Sequence, residues 1–178
     1  MIQFRNNSIK WQIWDSAGQE RYKALIPSYV RGAGIIFLIY DVSERKSFSN
    51  LEEWINFIKQ INTDESLLVL CGNKIDLERK VTYQEGFELA KKNNMMFFET
   101  SAKNNKDINL MFYSAVAHLP FFSQFPIDKQ SLIKELISTN CKDKNILIED
   151  NKEPTATNDN NPGSINIIIK KKKSSCPC

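Results

Sequence analysis

Residues 67–76, Leu67-Leu68-Val69-Leu70-Cys71-Gly72-Asn73-Lys74-Ile75-Asp76, begin as an apolar run and then turn abruptly polar. A continuous apolar run of this kind suits a parallel strand that is buried on both faces. Residues 35–40 form a similar run, and residues 95–99 form a third, shorter one. Helical patterns lie between and after them, near residues 51–61, 82–90 and 108–119. Strands that alternate with helices predict a three-layer α/β fold with a mostly parallel sheet.

The chain of 178 residues is long enough for one domain and an appendage. At its start, Ile2 to Arg5 and Ile9 to Trp14 predict two short strands, joined by a hairpin-like turn at residues 6–8. Ser49 and Glu52 match a capping box at the start of the first long helix.

Beyond Pro120 the composition changes. Residues 129–138 carry a weak helical pattern, and residues 151–164 are rich in Asn, Pro, Thr and Asp, which predicts disorder. We therefore predict a domain over residues 1–120 and a largely disordered tail, acting as a tether, over residues 121–178.

The charge and cysteine patterns exclude several classes of protein. A net charge of +3 is too small to predict nucleic-acid binding, although Lys170 to Lys173 form a basic cluster. The four cysteines match no metal-type or disulfide-framework spacing, which indicates a reducing cytosolic compartment. Without 18 consecutive apolar residues, no transmembrane helix is predicted.

The polar residues after the second long apolar run are suited to recognising a purine base. They lie where a strand ends, which is where open α/β sheets bind ligands. The carboxylate of Asp76 can accept from the paired N1–H and N2–H₂ groups of guanine, Asn73 can bond the base and brace the loop, and the Lys74 stem can lie across its face. Ser101, Ala102 and Lys103 follow the next strand and can support the same base.

A second polar segment, residues 15–19, follows the first complete strand. Asp15 can hold a magnesium ion through water, and Gly18 can offer its backbone N–H to a terminal phosphate. Gln19 can orient the water that attacks the γ-phosphate. Each segment alone is also compatible with an ordinary polar turn; their order along the chain favours a guanine-nucleotide site.

Together these motifs resemble a Rab-type small GTPase of the Ras superfamily, from about Ile9 to Pro120. Residues 17–22 and 29–33 are similar to segments that distinguish Rab proteins, and residues 25–29 and 96–101 resemble the Golgi-associated subgroup. The resemblance implies the P-loop NTPase fold and GTP binding and hydrolysis, with Mg²⁺, as a switch in vesicle transport. It also implies Trp14 and Tyr29 as effector contacts, with exchange factors and GTPase-activating proteins as further partners.

The chain end, Cys176-Pro177-Cys178, is similar to the Cys-x-Cys ending on which Rab proteins carry two geranylgeranyl groups. Two lipid chains anchor stably, and the lysine cluster adds attraction to an anionic leaflet. The resemblance therefore implies the prenylation machinery as a partner, and a location on the cytoplasmic face of Golgi or related membranes, with a cytosolic pool. An unmodified, solvated tail is the alternative.

The sequence departs from this family at the phosphate subsite, because no G-x-x-x-x-G-K-[ST] phosphate-binding loop occurs in it. The switch threonine that completes the magnesium shell, the first strand and the first helix are also missing. That strand is central in the fold, between residues 9–14 and 35–40, so its loss would leave two strands with unpaired backbone groups. The sequence therefore predicts a poorly folded chain that cannot bind nucleotide tightly.

Two explanations remain open at this stage. The sequence is a fragment, or begins at the wrong methionine, and a segment encoded upstream supplies the loop. Alternatively, it is a nucleotide-free pseudo-GTPase that binds effectors or prenylation factors.

Overall fold

A computed structural model describes residues 2–9, 11–16, 20–62, 66–141 and 166–171 of the chain. Within these residues, a five-stranded sheet is covered by helices on both faces, and a separate two-stranded hairpin lies beside it. The predicted three-layer α/β architecture is confirmed. Among the described helices, none is both long enough and apolar enough to cross a membrane.

The N-terminal hairpin is smaller than the sequence predicts. Strand β1 (Ile2–Phe4) pairs antiparallel with β2 (Asn7–Ile9). The next strand, β3 (Trp11–Ser16), belongs to the main sheet instead. The prediction of one strand from Ile9 to Trp14 is therefore wrong at its start, because Ile9 ends β2, whereas the residues from Trp11 onward form β3 and pair with a different strand.

Four strands of the main sheet run in one direction, and the fifth opposes them. The remaining strands are β4 (Ala33–Asp41), β5 (Leu67–Asn73), β6 (Met96–Glu99) and β7 (Asn166–Lys171), in the spatial order β3-β7-β4-β5-β6. Strands β4, β5 and β6 pair in parallel, whereas β7 is antiparallel to both of its neighbours. The sheet is thus mostly parallel, as predicted.

In the part of the chain that the structure describes, six helices connect these strands or pack on them. They are α1 (Ile26–Val30), α2 (Arg45–Ser49), α3 (Leu51–Ile61), α4 (Tyr83–Lys92), α5 (Ile108–Ala117) and α6 (Lys129–Asn140), with 3₁₀ turns at Glu20–Leu25 and Pro120–Gln124. The N-terminus of α4 is a true capping box between Thr82 and Glu85. The capping box predicted at Ser49 is wrong, because the N-cap position of α3 is Asn50, which makes no side-chain capping bond, and the Ser49 hydroxyl donates to a carbonyl within α2.

Strand β4 separates two hydrophobic cores. Its alternate residues Ile36 and Leu38 face one core, with α1, α3 and α4, while Ile35 and Phe37 face the other, with α5 and α6. All four side chains are fully buried. Because both faces of β4 pack against a core, the side chains on both faces are apolar, and the strand is an unbroken hydrophobic run in the sequence.

Strand β7 fills the gap that the sequence predicts in the middle of the sheet. Ile168 lies opposite Trp14 of β3 on one side and Ile36 of β4 on the other. The backbone groups expected to be unpaired are therefore paired by a strand from the tail. The prediction of a poorly folded chain assumed that these two strands lack a partner, and that assumption is wrong. Sequence patterns identify a strand more readily than the distant strand with which it pairs.

Helix α6 lies in the segment that the sequence assigns to a tether, yet it packs into the second core. Leu132 and Leu136 are buried there with Phe4 of β1. At its end, the Asn140 side chain accepts from Gln3 N–H at 2.7 Å and donates to Gln3 C=O at 2.9 Å. The helix is predicted correctly, but its role as part of a tether is wrong. The prediction of disorder at residues 151–164 lies outside the described residues.

The burial of Leu136 gives a test of this packing. Replacing Leu136 with Ala should lower the free energy of unfolding by about 2–5 kcal/mol, because it opens a cavity between α6 and the hairpin. Chemical denaturation of the full chain measures this loss. Lys134→Ala on the exposed face of α6 is the matched control and should change little. Equal effects of the two substitutions would mean that α6 is not held against the domain.

Candidate functional site

The candidate site lies in the loops that follow β5 and β6. The two strands are parallel neighbours, so their carboxyl ends reach the same edge of the sheet. The backbone joins the loops: Thr100 N–H donates to Gly72 C=O at 2.8 Å, and Ile75 N–H donates to Thr100 C=O at 3.2 Å. The structure therefore brings together the two segments that sequence reasoning assigned to one base-binding site.

Asn73 is the brace between the two loops. Its Oδ1 atom accepts from the Ala102 backbone N–H at 3.1 Å and from the Thr100 hydroxyl at 3.3 Å. The Thr100 hydroxyl also contacts the buried Cys71 thiol, at 3.2 Å. The predicted bracing role of Asn73 thus has a geometric basis, because its side chain ties β5 to the loop after β6.

Asp76 is oriented by Ser101. The Ser101 hydroxyl donates to Asp76 Oδ1 at 2.5 Å, and the buried serine is itself fixed by a two-bond backbone bridge to Lys106. This hydrogen bond holds the pKa of the Asp76 carboxyl below its usual range, and the charges of Lys103 and Lys74 act in the same direction. A carboxylate has two oxygens with several acceptor positions, so the ionised group can still accept from a ligand.

Lys74 has an unusual backbone conformation and a fixed charge partner. Its φ of 65° lies in the left-handed region, where the chain turns sharply out of β5. Its Nζ lies 2.7 Å from Asp41 Oδ2, at the end of β4. Burial raises the pKa of the Asp41 carboxyl, but hydrogen bonds from Lys74 and Ser43 outweigh that effect, so the pKa lies below its ordinary value.

Asp41 is a site residue that sequence reasoning missed. It follows directly after the buried residues of β4, in the same position relative to its strand as Asn73, with which it pairs. A polar residue at the end of a buried run was therefore an available signal. Ala102 and Lys103, by contrast, were predicted; both lie in the exposed turn after Ser101, beside Asp76.

Asp15 lies at the same edge of the sheet, but not beside the base-binding loops. It is near the carboxyl end of β3, and both β7 and β4 lie between that strand and β5. Although Asp15 is exposed as a residue, loss of solvent around its carboxyl raises the pKa, which hydrogen bonding to the Ser16 backbone only partly offsets.

Several predicted site residues lie outside the described residues. These are Gly18, Gln19, Cys176 and Cys178. Of the two predicted effector contacts, Trp14 remains 36% exposed, and its ring lies 5.5 Å from that of Tyr29. The structure therefore joins these two aromatic residues in one partly exposed pair.

The described residues fit the base of a guanine nucleotide better than its phosphates. Asn73, Asp76 and Ser101 supply the oriented polar groups for a base. Among the described residues, no three His, Cys, Asp or Glu side chains lie together where they could hold a metal ion. The sequence predicts Asp15 as a contact to magnesium through water. The sequence also has no phosphate-binding loop.

Comparison with known proteins agrees with these motifs. A model of the Ras family matches residues 1–120. "Ras-related protein RHN1" of Nicotiana plumbaginifolia is 40% identical over 117 residues, 65% of this chain and 58% of its own. "Ras-related protein SEC4" of Candida albicans is 43% identical over 114 residues, covering 63% and 54%. "Ras-related protein Rab-18" of Lymnaea stagnalis is 44% identical over 112 residues, covering 62% and 55%. The matches thus span little more than half of each relative.

The hydrogen bond between Ser101 and Asp76 gives a test by titration. Replacing Ser101 with Ala should raise the pKa of the Asp76 carboxyl towards its ordinary value, because the ionised form loses its donor. Asp76 would then become protonated at a higher pH on acidification, and any stability due to its ionised form would be lost over the same range.

Carboxyl-resolved NMR titration of the full chain measures this change. Asp128 is the internal control, since its pKa is held low by Ser131 at the start of α6, away from the site. An unchanged pKa of Asp76 in the variant would contradict the assigned orientation.

Proposed function

The chain belongs to the Ras family as a Rab-type small GTPase, and we propose that it serves a guanine-nucleotide switch in vesicle transport. The observation that carries this proposal is the arrangement of Asp76, Ser101 and Asn73 at one edge of the sheet. The chain matches little more than half of each relative's length. GTP hydrolysis and the binding of protein partners are therefore proposed for the whole protein.

The base-binding half of the proposal follows from hydrogen-bonding chemistry. Guanine presents N1–H and N2–H₂ as neighbouring donors, which adenine lacks, and an ionised carboxylate is an acceptor only. The Ser101 hydroxyl orients the Asp76 carboxyl and stabilises its ionised form, while Lys74, whose Nζ pairs with Asp41, supplies the stem that would cover the base. Ala102 and Lys103 complete the proposed contact surface.

The phosphate half depends on groups that the sequence only partly contains. The Ras-family resemblance assigns Asp15 to Mg²⁺ through water, Gly18 to the terminal phosphate and Gln19 to the attacking water. Bound Mg²⁺ neutralises charge on the phosphates. A phosphate-binding loop is needed to hold the phosphates, and this sequence lacks one. We therefore propose GTP hydrolysis for the whole protein only if it contains such a loop.

A second candidate function is a nucleotide-free module that binds effectors or prenylation factors. One observation favours it: Trp14 and Tyr29 form a partly exposed aromatic pair. A fluorescent GDP titration of the purified chain separates the two candidates. Binding in the micromolar range or tighter would contradict the view that this chain lacks a working phosphate subsite.

For the tail, we propose lipid attachment at Cys176 and Cys178 by the prenylation machinery, and a location on endomembranes, including those of the Golgi. Two attached chains would give stable anchoring, and Lys170 to Lys173 would favour an anionic leaflet. Exchange factors, GTPase-activating proteins and effectors are the further partners proposed.

The guanine assignment predicts a change of base specificity. In the chain joined to a relative's phosphate-binding segment, Asp76→Asn should weaken guanine-nucleotide binding roughly 10- to 100-fold, because a charge-assisted pair is lost. Xanthine nucleotides should gain in relative preference, since their base presents an acceptor where guanine has an amino group. Competition binding measures both. Asp128→Asn is the control outside the site, and unchanged affinity for GTP in Asp76→Asn would count against the assignment.

The lipid assignment predicts a change of location. Replacing both Cys176 and Cys178 with Ser should move the protein from membranes to the cytosol, because no attached lipid group then remains to anchor it. Fractionation of cells that express the full chain measures this. Replacing Cys141, which is exposed at the end of α6, serves as the control and should leave the distribution unchanged. Membrane association that persists in the double variant would rule out the proposed anchor.

A further inference from the structure

An aromatic groove lies between α4 and β6, at the edge of the sheet. Its volume is about 360 Å³, within the range of roughly 300–1,000 Å³ that is usual for ligand sites. None of its lining residues belongs to the proposed base site. They come from α4, from β6 and from the turn between them, and they are Tyr83, Phe87, Ala90, Lys91, Met95 and Phe97.

Three aromatic side chains form the apolar part of the groove. The rings of Tyr83 and Phe87 are stacked, with centroids 6.2 Å apart and an angle of 11° between their planes. The Phe97 ring meets that of Tyr83 edge-on, at 5.2 Å. Tyr83 is nevertheless 54% exposed and Phe87 40% exposed. Exposed apolar side chains that are grouped in this way mark interaction sites, whereas isolated ones do not.

The backbone of β6 has free hydrogen-bonding groups beside the groove. Strand β6 ends the strand order, so β5 is its one neighbour among the described strands. Thr100 N–H donates to Gly72 C=O, at the end of β5. Because alternate residues of a strand turn their backbone groups to the same side, Phe98 also faces β5, whereas Phe97 and Glu99 face outward. Outward-facing groups of an edge strand are a template for a further strand.

Lys91 determines the charge that the groove can accept. Glu88, the nearest acidic residue along α4, instead accepts from Gln84 Nε2 at 2.7 Å. Glu99, at the end of β6, accepts two bonds from Arg79, at 2.7 and 2.9 Å. In the part of the chain that the structure describes, no carboxylate forms an ion pair with Lys91. The lysine therefore attracts an anionic group and repels a cationic one.

We propose that the groove and the edge of β6 together bind an extended peptide segment of another protein. An apolar side chain of the peptide occupies the groove, an acidic side chain pairs with Lys91, and the peptide backbone bonds to Phe97 and Glu99 as an added strand. Side chains two residues apart on a strand share one face, so one residue separates the apolar and acidic positions. Aromatic rings alone would also suit a cation, but Lys91 disfavours it.

The test uses the full chain and the peptide Ac-Glu-Thr-Leu-Thr-Glu-NH₂ as probe. Its acidic residues stand two positions from the leucine on both sides, so the peptide presents the required pattern in either strand direction. Peptide binding at this edge requires no bound nucleotide, so failure of the proposed GTPase function would leave the result unaffected.

Amide hydrogen exchange, followed by NMR on the isotope-labelled protein, measures strand addition. When nine-tenths of the protein is bound, exchange at Phe97 and Glu99 should slow about 10-fold, because their N–H groups become hydrogen-bonded in the complex. Phe98 is the internal control. Its N–H already faces β5, so its exchange should change much less.

Two variants test the side-chain contacts through peptide titrations. Phe87→Ala should weaken binding at least about 5-fold, because it removes a central aromatic contact. Leu25→Ala is the matched control, since it removes a similarly exposed apolar side chain from the 3₁₀ turn before α1. Lys91→Glu should reverse the charge preference, so that Ac-Lys-Thr-Leu-Thr-Lys-NH₂ binds more tightly than the acidic peptide. All three side chains are exposed, so the fold should be retained, and the amide spectrum checks this.

Several results would overturn the proposal. Exchange at Phe97 and Glu99 that is as slow as at Phe98 before peptide is added would mean that the edge is already covered. Equal slowing at all three amides would mean general stabilisation rather than an added strand. Unchanged affinity in Phe87→Ala, or an unchanged charge preference in Lys91→Glu, would remove the groove from the contact. A dimer in sedimentation velocity that Phe87→Ala dissociates would assign the groove to a second copy of the chain.

Discussion

The hydrogen-bonded ladder that β7 makes with both β3 and β4 is the constraint on which the rest of the structure depends. Strand β4 is buried on both faces, so backbone groups left unpaired along its edge would each cost about 1–3 kcal/mol. Domain stabilities of about 5–15 kcal/mol tolerate few such losses. A strand from the tail satisfies these groups and at the same time attaches β3, so the integrity of the sheet and the position of Asp15 have one cause.

The base-binding loops depend much less on that ladder. Asn73 and Ser101 fix the loops after β5 and β6 through local contacts, and these two strands pair with each other directly. The described molecule therefore has a self-contained half, with the candidate base site, and a half that carries Trp14 and Asp15 and is held by the tail. The residues proposed to contact the base and those proposed to act at the phosphates therefore depend on different parts of the sequence for their positions.

The part of the molecule around β4 and β5 could be predicted from the sequence, whereas the attachment of β3 could not. The strands at residues 35–40 and 67–71 were predictable because burial on both faces leaves unbroken apolar runs, and the site residues were predictable because they follow those runs. The partner of β3 was not predictable, since Asn166 to Lys171 is far from β3 along the chain and an apolar strand pattern does not specify which distant strand it pairs with. Asp41 was missed because its role depends on Lys74, which reaches it from the end of the neighbouring strand.

The packing of α6 against the hairpin has a consequence for the order in which the protein folds. Residues 33–117 contain β4, β5, β6 and helices α2 to α5, whose contacts are mostly between near neighbours along the chain. The hairpin at residues 2–9 and strand β3 instead need partners from residues 129–171. Contacts of such long sequence separation form slowly. We therefore expect the hairpin and β3 to be the last parts of the described structure to reach their native packing, after residues 33–117 have formed their more local contacts.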